Sequence, residues 1–282
     1  MTDELSKILK ELGLTRRIDI LRFLRCQAAL QRHIRRHLES LNHNVSTGGL
    51  SKCLNGLANL GLVERVEDGY AITAWGMLVY DIVVGLKRLC TIKDELIDAE
   101  GFMEIVPTDL KMGLTYLTEA EVERDVYVAV SRAMDDIKRA KSWAKYICNI
   151  HECTIFKTLV RNHVRGVKER MISSKDTLDT KIDLLLTAIV EEGLDESEIS
   201  LVMENFELRV FDAPVQLAVI DGRIAYVQIQ KHERHSPVFY SDDRNFVRWA
   251  NALFDFFWDI AKPVEIPFEV LRRDPFSSEP SK

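Results

Sequence analysis

The densest patterning in the chain lies between Val45 and Thr73. From Thr47 to Leu60 the apolar residues Leu50, Cys53, Leu54, Leu57 and Leu60 recur at spacings of three and four, which is one face of a helix. Ser46 or Thr47 stands where an N-terminal cap is needed, and Gly61 stands where the helix should stop. Beyond Gly61 the period drops to two. Leu62, Glu64 and Val66 fall on one side, Asp68-Gly69 follows, then Tyr70 and Ile72, a pattern that predicts a β-hairpin with a tight Asp-Gly turn. Upstream, Leu5, Ile8, Leu9 and Leu12 predict a short helix ended by Gly13. A second helix is expected from Thr15 to Arg25 and a third over Gln27–Leu41, where Leu30, Ile34, Leu38 and Leu41 form the ladder. From Thr73 a helix of about 25 residues is expected to reach about Ala99, with Leu78, Ile82, Leu86, Leu89, Leu96 and Ile97 along it.

Gly101–Leu117, with Pro107 and Gly113, reads as a loop-rich boundary. Helix is expected over Val122–Ala144, strand over Trp143–Ile150, helix over Glu152–Val164, strand over Val167–Ser173 and helix over Thr180–Glu192. Strands follow at Phe206–Phe211, Val215–Ile220 and Arg223–Ile229, the last two joined by Asp221-Gly222. Asp243–Ala261 closes the pattern as a strongly amphipathic helix. Helices alternating with strands, then a hairpin, predict an α/β or α+β sandwich.

A helix, a glycine break, an apolar pair and a charged hairpin follow the plan of a winged helix-turn-helix, whose helix enters the DNA major groove and whose hairpin lies on the flanking backbone. Val45-Ser46-Thr47, Leu54-x-x-Leu57-x-x-Leu60-Gly61-Leu62-Val63 and Gly69-Tyr70-x-Ile72-Thr73-x-x-Gly76 resemble the second half of an archaeal winged-helix transcription regulator. The Leu-Gly-Leu-Val ending is shared by many winged-helix families and points to the fold rather than to regulation. Glu207-Leu208-Arg209-Val210-Phe211, Leu217–Ala225 and Arg248-Trp249-Ala250-x-x-Leu253-Phe254-x-x-Phe257-Trp258-x-x-Ala261 resemble the effector domain of archaeal methanogenesis-regulatory proteins, and more distantly that of archaeal sugar-responsive regulators. That second resemblance implies a phospholipase-D-like fold used as a sensor.

Charge at first argues against a nucleic-acid partner, because the whole chain carries −6. Its distribution reverses the argument. Residues 1–73 hold eleven Lys and Arg against eight Asp and Glu, a net of +3, which leaves −9 on the remainder. DNA requires a local positive face, not a basic chain. A hydrophobic fraction of 46% fits a soluble globular protein, the N-terminus does not resemble a signal peptide, and the apolar run Trp75–Leu86 is interrupted by Asp81 and too short to span a membrane. Five scattered cysteines fit reduced thiols in a cytoplasm.

Candidate DNA contacts follow from position. Arg32, Arg35 and Arg36 lie on the helix that should cross the phosphates, although a solvated helix face would look the same. Thr47, Ser51, Lys52, Asn55 and Asn59 lie on the side of the reading helix away from its leucines; Lys52 and Asn55 are of the types that reach guanine and adenine edges. Gly48, Gly49 and Gly56 depart from the family pattern, which has longer polar side chains there, and each costs the helix about 1 kcal/mol against alanine. In the hairpin, Arg65 is the one basic residue among Glu64, Glu67 and Asp68. The phospholipase-D-like resemblance invites an enzyme reading. Active members carry His-x-Lys-x4-Asp, and the residues two beyond the seven histidines are Arg35, Glu39, Val45, Cys153, Arg165, Arg234 and Pro237, so the motif is missing. Cys148, His151 and Cys153 carry soft ligands for zinc or another late transition metal, set against ordinary structural cysteines. His33 and His37 stand at i and i+4 with no third ligand near in sequence. His232, Arg234 and His235 form a polar loop that could hold an anionic effector or simply be solvated.

The sequence therefore predicts an α+β protein with a winged helix over residues 1–73, a linker or dimerisation helix over 74–100, an effector or assembly α/β domain of phospholipase-D-like type over 101–265, and a tail over 266–282. Its expected role is that of a cytoplasmic, homodimeric, non-enzymatic transcription regulator. It would bind double-stranded DNA, need no cofactor, contact no membrane and answer to a small-molecule effector. The alternatives are a protein-interaction or assembly module that keeps a winged helix, and a metal- or thiol-responsive regulator.

Overall fold

The computed structural model describes residues 2–149, 152–230 and 236–269. The chain divides into two compact units, Met1–Cys90 and Thr91–Lys282. The first is built from α1 (Thr2–Leu12), α2 (Thr15–Cys26), α3 (Gln31–Ser40), α4 (Thr47–Asn59), the antiparallel hairpin β1 (Val63–Val66) and β2 (Gly69–Ile72), and α5 (Ala74–Leu89). The leucine ladder read from sequence is its centre: Leu50, Leu54 and Leu57 of α4 are buried with Ile34 and Leu38 of α3 and Ile20 and Leu21 of α2. Ser46 caps α4 by accepting a hydrogen bond from the Gly49 N–H at 3.1 Å, and Gly61 ends it at φ +67°.

Three local expectations change. α3 starts at Gln31, because Gln27 is extended (φ −168°, ψ 153°) and Ala29 pairs with β2. Ala29 and Tyr70 exchange both backbone hydrogen bonds, at 2.9 and 3.0 Å, so a single bridging residue pairs with the outer edge of the hairpin. The turn also moves: Val66 pairs with Gly69, which leaves Glu67 and Asp68 as the turn and puts Gly69 in the strand. Gly69 holds φ +121°, and a Cβ there would lie 2.3 Å from the Ala29 carbonyl oxygen. Glycine is required there by the Ala29 bridge rather than by a two-residue turn. Finally, α5 stops at Leu89 instead of running to about Ala99. Ile92 is buried in the second unit, and a separate short helix α6 (Lys93–Leu96) follows.

The second unit continues with α7 (Glu100–Ile105), α8 (Thr108–Met112), a 3₁₀ turn at Gly113–Glu119, β3 (Glu121–Glu123), α9 (Val126–Lys138), β4 (Trp143–Ile147), α10 (Cys153–Val164), β5 (Lys168–Ser173), α11 (Lys175–Glu191) and α12 (Glu196–Asn205). It ends with β6 (Phe206–Val210), β7 (Val215–Ile220), β8 (Ile224–Ile229), β9 (Val238–Ser241), α13 (Arg244–Ile260) and β10 (Lys262–Pro263). These strands form one mixed sheet in the order β10-β6-β5-β4-β7-β8-β9-β3. β4–β5 and β5–β6 are parallel, and the other pairs are antiparallel. α13 covers β4, β7 and β8 through Phe246, Ala250, Leu253, Phe254 and Phe257, while α9, α10 and α12 lie with the other packed face. The unit is thus α+β, with helices on both sides of a sheet. Asp221-Gly222 forms the expected tight turn, with positive φ at both residues (52° and 63°). The Asp221 carboxylate accepts backbone N–H bonds from Lys141, Ser142 and Trp143 and so ties this turn to the start of β4.

Candidate nucleic-acid interface

α3 buries Ile34 and Leu38, which turns Arg32, Arg35 and Arg36 to the opposite, exposed side. On α4, at about 100° per residue, Thr47, Ser51, Asn55, Asn59 and Lys52 sweep an arc of about 140° away from the leucine face. All are exposed except the half-buried Ser51.

Hydrogen bonds join the two helices at the N-terminus of α4. Arg35 donates from its guanidinium to the Thr47 hydroxyl at 3.2 Å. Gln31 donates from Nε2 to Ser51 Oγ at 2.8 Å and to the Thr47 carbonyl at 3.3 Å, and Ser51 donates to that carbonyl at 3.0 Å. Arg35, Thr47 and Ser51 therefore form one continuous seam, with Asn55 next along α4. Arg32 and Arg36 extend from it on the α3 side, and Lys52 lies at the far edge of the α4 arc. Gln31 is the member that the sequence reading overlooked; its signal was its place one helical turn before Arg35. Arg35 is also paired with Glu39 at 2.8 Å, so an acidic residue sits within the cationic strip.

The segment between α3 and α4 is held from below. His43 Nε2 is 2.8 Å from Asp19, an otherwise buried carboxylate on α2, and the His37 ring stacks on Phe23 at 4.5 Å. His33 is 3.3 Å from the Arg32 Nε. These contacts give His33 and His37 separate partners. Gly56 has a structural reason: a Cβ there would come 2.6 Å from the Glu11 carboxylate, which is paired with Arg17 at 2.8 Å. The glycine thus admits the end of α1 beside α4. Arg65 lies over the Tyr70 ring at 5.7 Å, and Glu64, Glu67 and Asp68 around it are exposed.

In the second unit Cys148 and Cys153 are half-buried. The Cys148 carbonyl accepts from the Lys181 ammonium, and Cys153 Sγ is 3.7 Å from Glu191. Burial pulls the Lys181 ammonium below its ordinary pKa. His151, like the His232, Arg234 and His235 loop, lies outside the described residues. Among the described residues no group of three or more His, Cys, Asp or Glu is arranged to hold a metal ion, and no helix is long and apolar enough to cross a membrane.

Residues 127–260, a little under half of the chain, match the family model of the methanogenesis regulatory protein FilR1, middle domain. The matched span runs from α9 to α13 and so takes in most of the sheet. No curated protein matches the sequence. Among solved structures, the chain is similar to TrmBL2, described as an archaeal chromatin protein with a novel mode of DNA binding. The identity is 15%, the TM-score is 0.41, and the match covers 78% of this chain and 84% of that one.

Proposed function

We propose that this protein is a DNA-binding transcription regulator, with the first unit as a winged helix and the second as a regulatory domain. The observation that carries the reading is the seam of Arg35, Thr47 and Ser51, continued by Asn55, Asn59 and Lys52 on the exposed arc of α4. Arginines beside a helix whose outer side is polar supply the two things duplex recognition needs, phosphate attraction and base-edge donors. The FilR1-like middle domain supports a regulatory role for the second half.

In this reading Arg32, Arg35, Arg36 and Arg65 hold phosphates, while Thr47, Ser51, Lys52, Asn55 and Asn59 face the groove. Residues 1–73 read DNA, and the 74–100 segment couples two chains into a homodimer. Support for the coupling comes from α5, where Leu78, Ile82 and Leu86 leave an apolar stripe exposed. Residues 101–265 receive the signal, act without catalysis and share a phospholipase-D-like plan, and the protein works in the cytoplasm. A signal would act by favouring one dimer geometry over another.

A second reading is favoured by the wing, whose exposed Glu64, Glu67 and Asp68 outnumber Arg65. In that reading the first unit docks protein rather than DNA. The two separate on fluorescence anisotropy of the purified full chain with DNA sites recovered by unbiased selection, read across a salt series. A regulator loses affinity linearly in log[salt], and Arg35→Ala reduces the slope by about 0.9 per protomer. Absence of retention at low salt, or a slope near zero, overturns the DNA reading.

A further inference from the structure

The second unit carries a hollow of about 100 Å³ between α9 and the sheet, partly open to solvent beside Val130, Ala133 and Met134. We infer that it is a binding site for a compact, uncharged, largely apolar small molecule, about the size of one aromatic ring.

The hollow exists because small side chains face each other. Ala129 and Ala133 of α9 and Ala218 of β7 line it where a close-packed interior would place larger residues. Val130, Ala133 and Met134 are only half-buried although they belong to the lining. About one aromatic ring would fill the space.

The chemistry of the lining sets the ligand class. Among the described residues, no charged side chain lines the hollow. Tyr146 and Tyr226 contribute rings, while their hydroxyls are engaged elsewhere, with Glu169 at 3.2 Å and Asp136 at 2.6 Å. The polar groups are the thiol residue Cys148 and two amides, Gln216 and Gln228, paired directly across β7 and β8. Gln228 donates to the Ser236 carbonyl at 2.6 Å, which leaves its amide oxygen as an acceptor beside Gln216. A single hydroxyl or amide on an otherwise apolar ligand suits that pair. A charged ligand would enter without a counter-charge.

As a binding site this stands without the DNA reading; as the source of the signal it rests on that reading. The probe is p-cresol, titrated into the full-length protein by calorimetry, with benzoate and glucose as charged and polar controls. Saturable p-cresol binding is expected, at least tenfold tighter than either control. Ala133→Leu fills the hollow and should weaken p-cresol at least tenfold while leaving far-ultraviolet circular dichroism intact. Gln216→Leu keeps the shape and should shift the preference from p-cresol towards toluene, so the test survives if the first variant fails to fold. No saturation up to the solubility limit, or equal affinity in the wild type and both variants, overturns the inference. A change in DNA anisotropy on adding p-cresol then tests the signalling role separately: its absence, with binding intact, removes the role and keeps the site.

Discussion

Glu169 is a polar side chain whose removal should cost the second unit heavily. It lies on β5 with no exposed side-chain surface, beside His163, which has none either. One carboxylate oxygen accepts from the Tyr146 hydroxyl at 3.2 Å and from Asn162 Nδ2 at 3.0 Å, and the other is 2.9 Å from His163 Nε2. Burial, and then the charge of Glu169, hold the Tyr146 phenol well above its ordinary pKa, so it remains an O–H donor at any working pH. Glu169→Ala therefore removes the shared acceptor of three buried groups. Each unpaired group costs about 1–3 kcal/mol, and removing one side of a buried charge cluster costs about 3–5 kcal/mol, so the expected loss is about 3–5 kcal/mol. Against a total stability of about 5–15 kcal/mol, that should shift the unfolding midpoint plainly. The neighbouring residue supplies the control. Arg170, facing the other way on the same strand, pairs with Glu207 at 2.9 Å with both side chains about half exposed. Glu207→Ala should cost at most about 1 kcal/mol. Guanidinium titration of the full chain, followed by circular dichroism, compares the two variants. Equal midpoints for Glu169→Ala and Glu207→Ala would refute the reasoning.

Three further outcomes are expected. Gly69→Ala forces φ +121° on a residue with a Cβ and drives that Cβ into the Ala29 carbonyl; the first unit should lose about 2 kcal/mol or more, read as a lower melting temperature. Burial pulls the Asp221 carboxyl upward, but N–H bonds from Trp143, Ser142 and Lys141, with Arg223 nearby, bring it net below its ordinary pKa. A depressed folded-state pKa gives stability that is full above the unfolded value of about 3.9 and is lost as pH falls through the folded value, so Asp221→Asn should flatten the decline in stability below about pH 4. Glu39→Gln releases Arg35 from its 2.8 Å partner and should tighten DNA binding about twofold in the anisotropy assay, whereas weaker binding would show that the pair positions Arg35 for the phosphate.

What the chain disclosed in advance was what repeats. The leucines of α4 and the aromatic stripe of α13 recur at helical spacing because one face must be buried, and both elements fall where that spacing put them. β3 and β10 have three and two residues and pair with strands far away in the chain, so no local period marks them. Ala29 joins the wing as a single residue, and its only trace is the glycine opposite. α12 did carry a signal: Asp195 and Glu198 form a reciprocal capping box, readable as Asp-x-x-Glu before an apolar run. Glu169, between Lys168 and Arg170, looks like a solvated charge, and its three partners come from two other elements, β4 and α10. In the candidate interface the residue types and the helix faces were legible. The joining of Gln31 and Arg35 to the start of α4 was not, because it depends on how two helices cross.

The Ala29–Tyr70 pairing ties the hairpin to the helices beside it. Ala29, two residues before α3, is stitched to the second strand of the hairpin, so the hairpin and the start of that helix share one backbone connection. The stitch at Ala29 lies two residues before Gln31, whose amide in turn bonds to Ser51 and Thr47. Two surfaces that look like separate fingers along the chain are therefore tied by one run of backbone and hydrogen bonds, which closes only because Gly69 has no side chain.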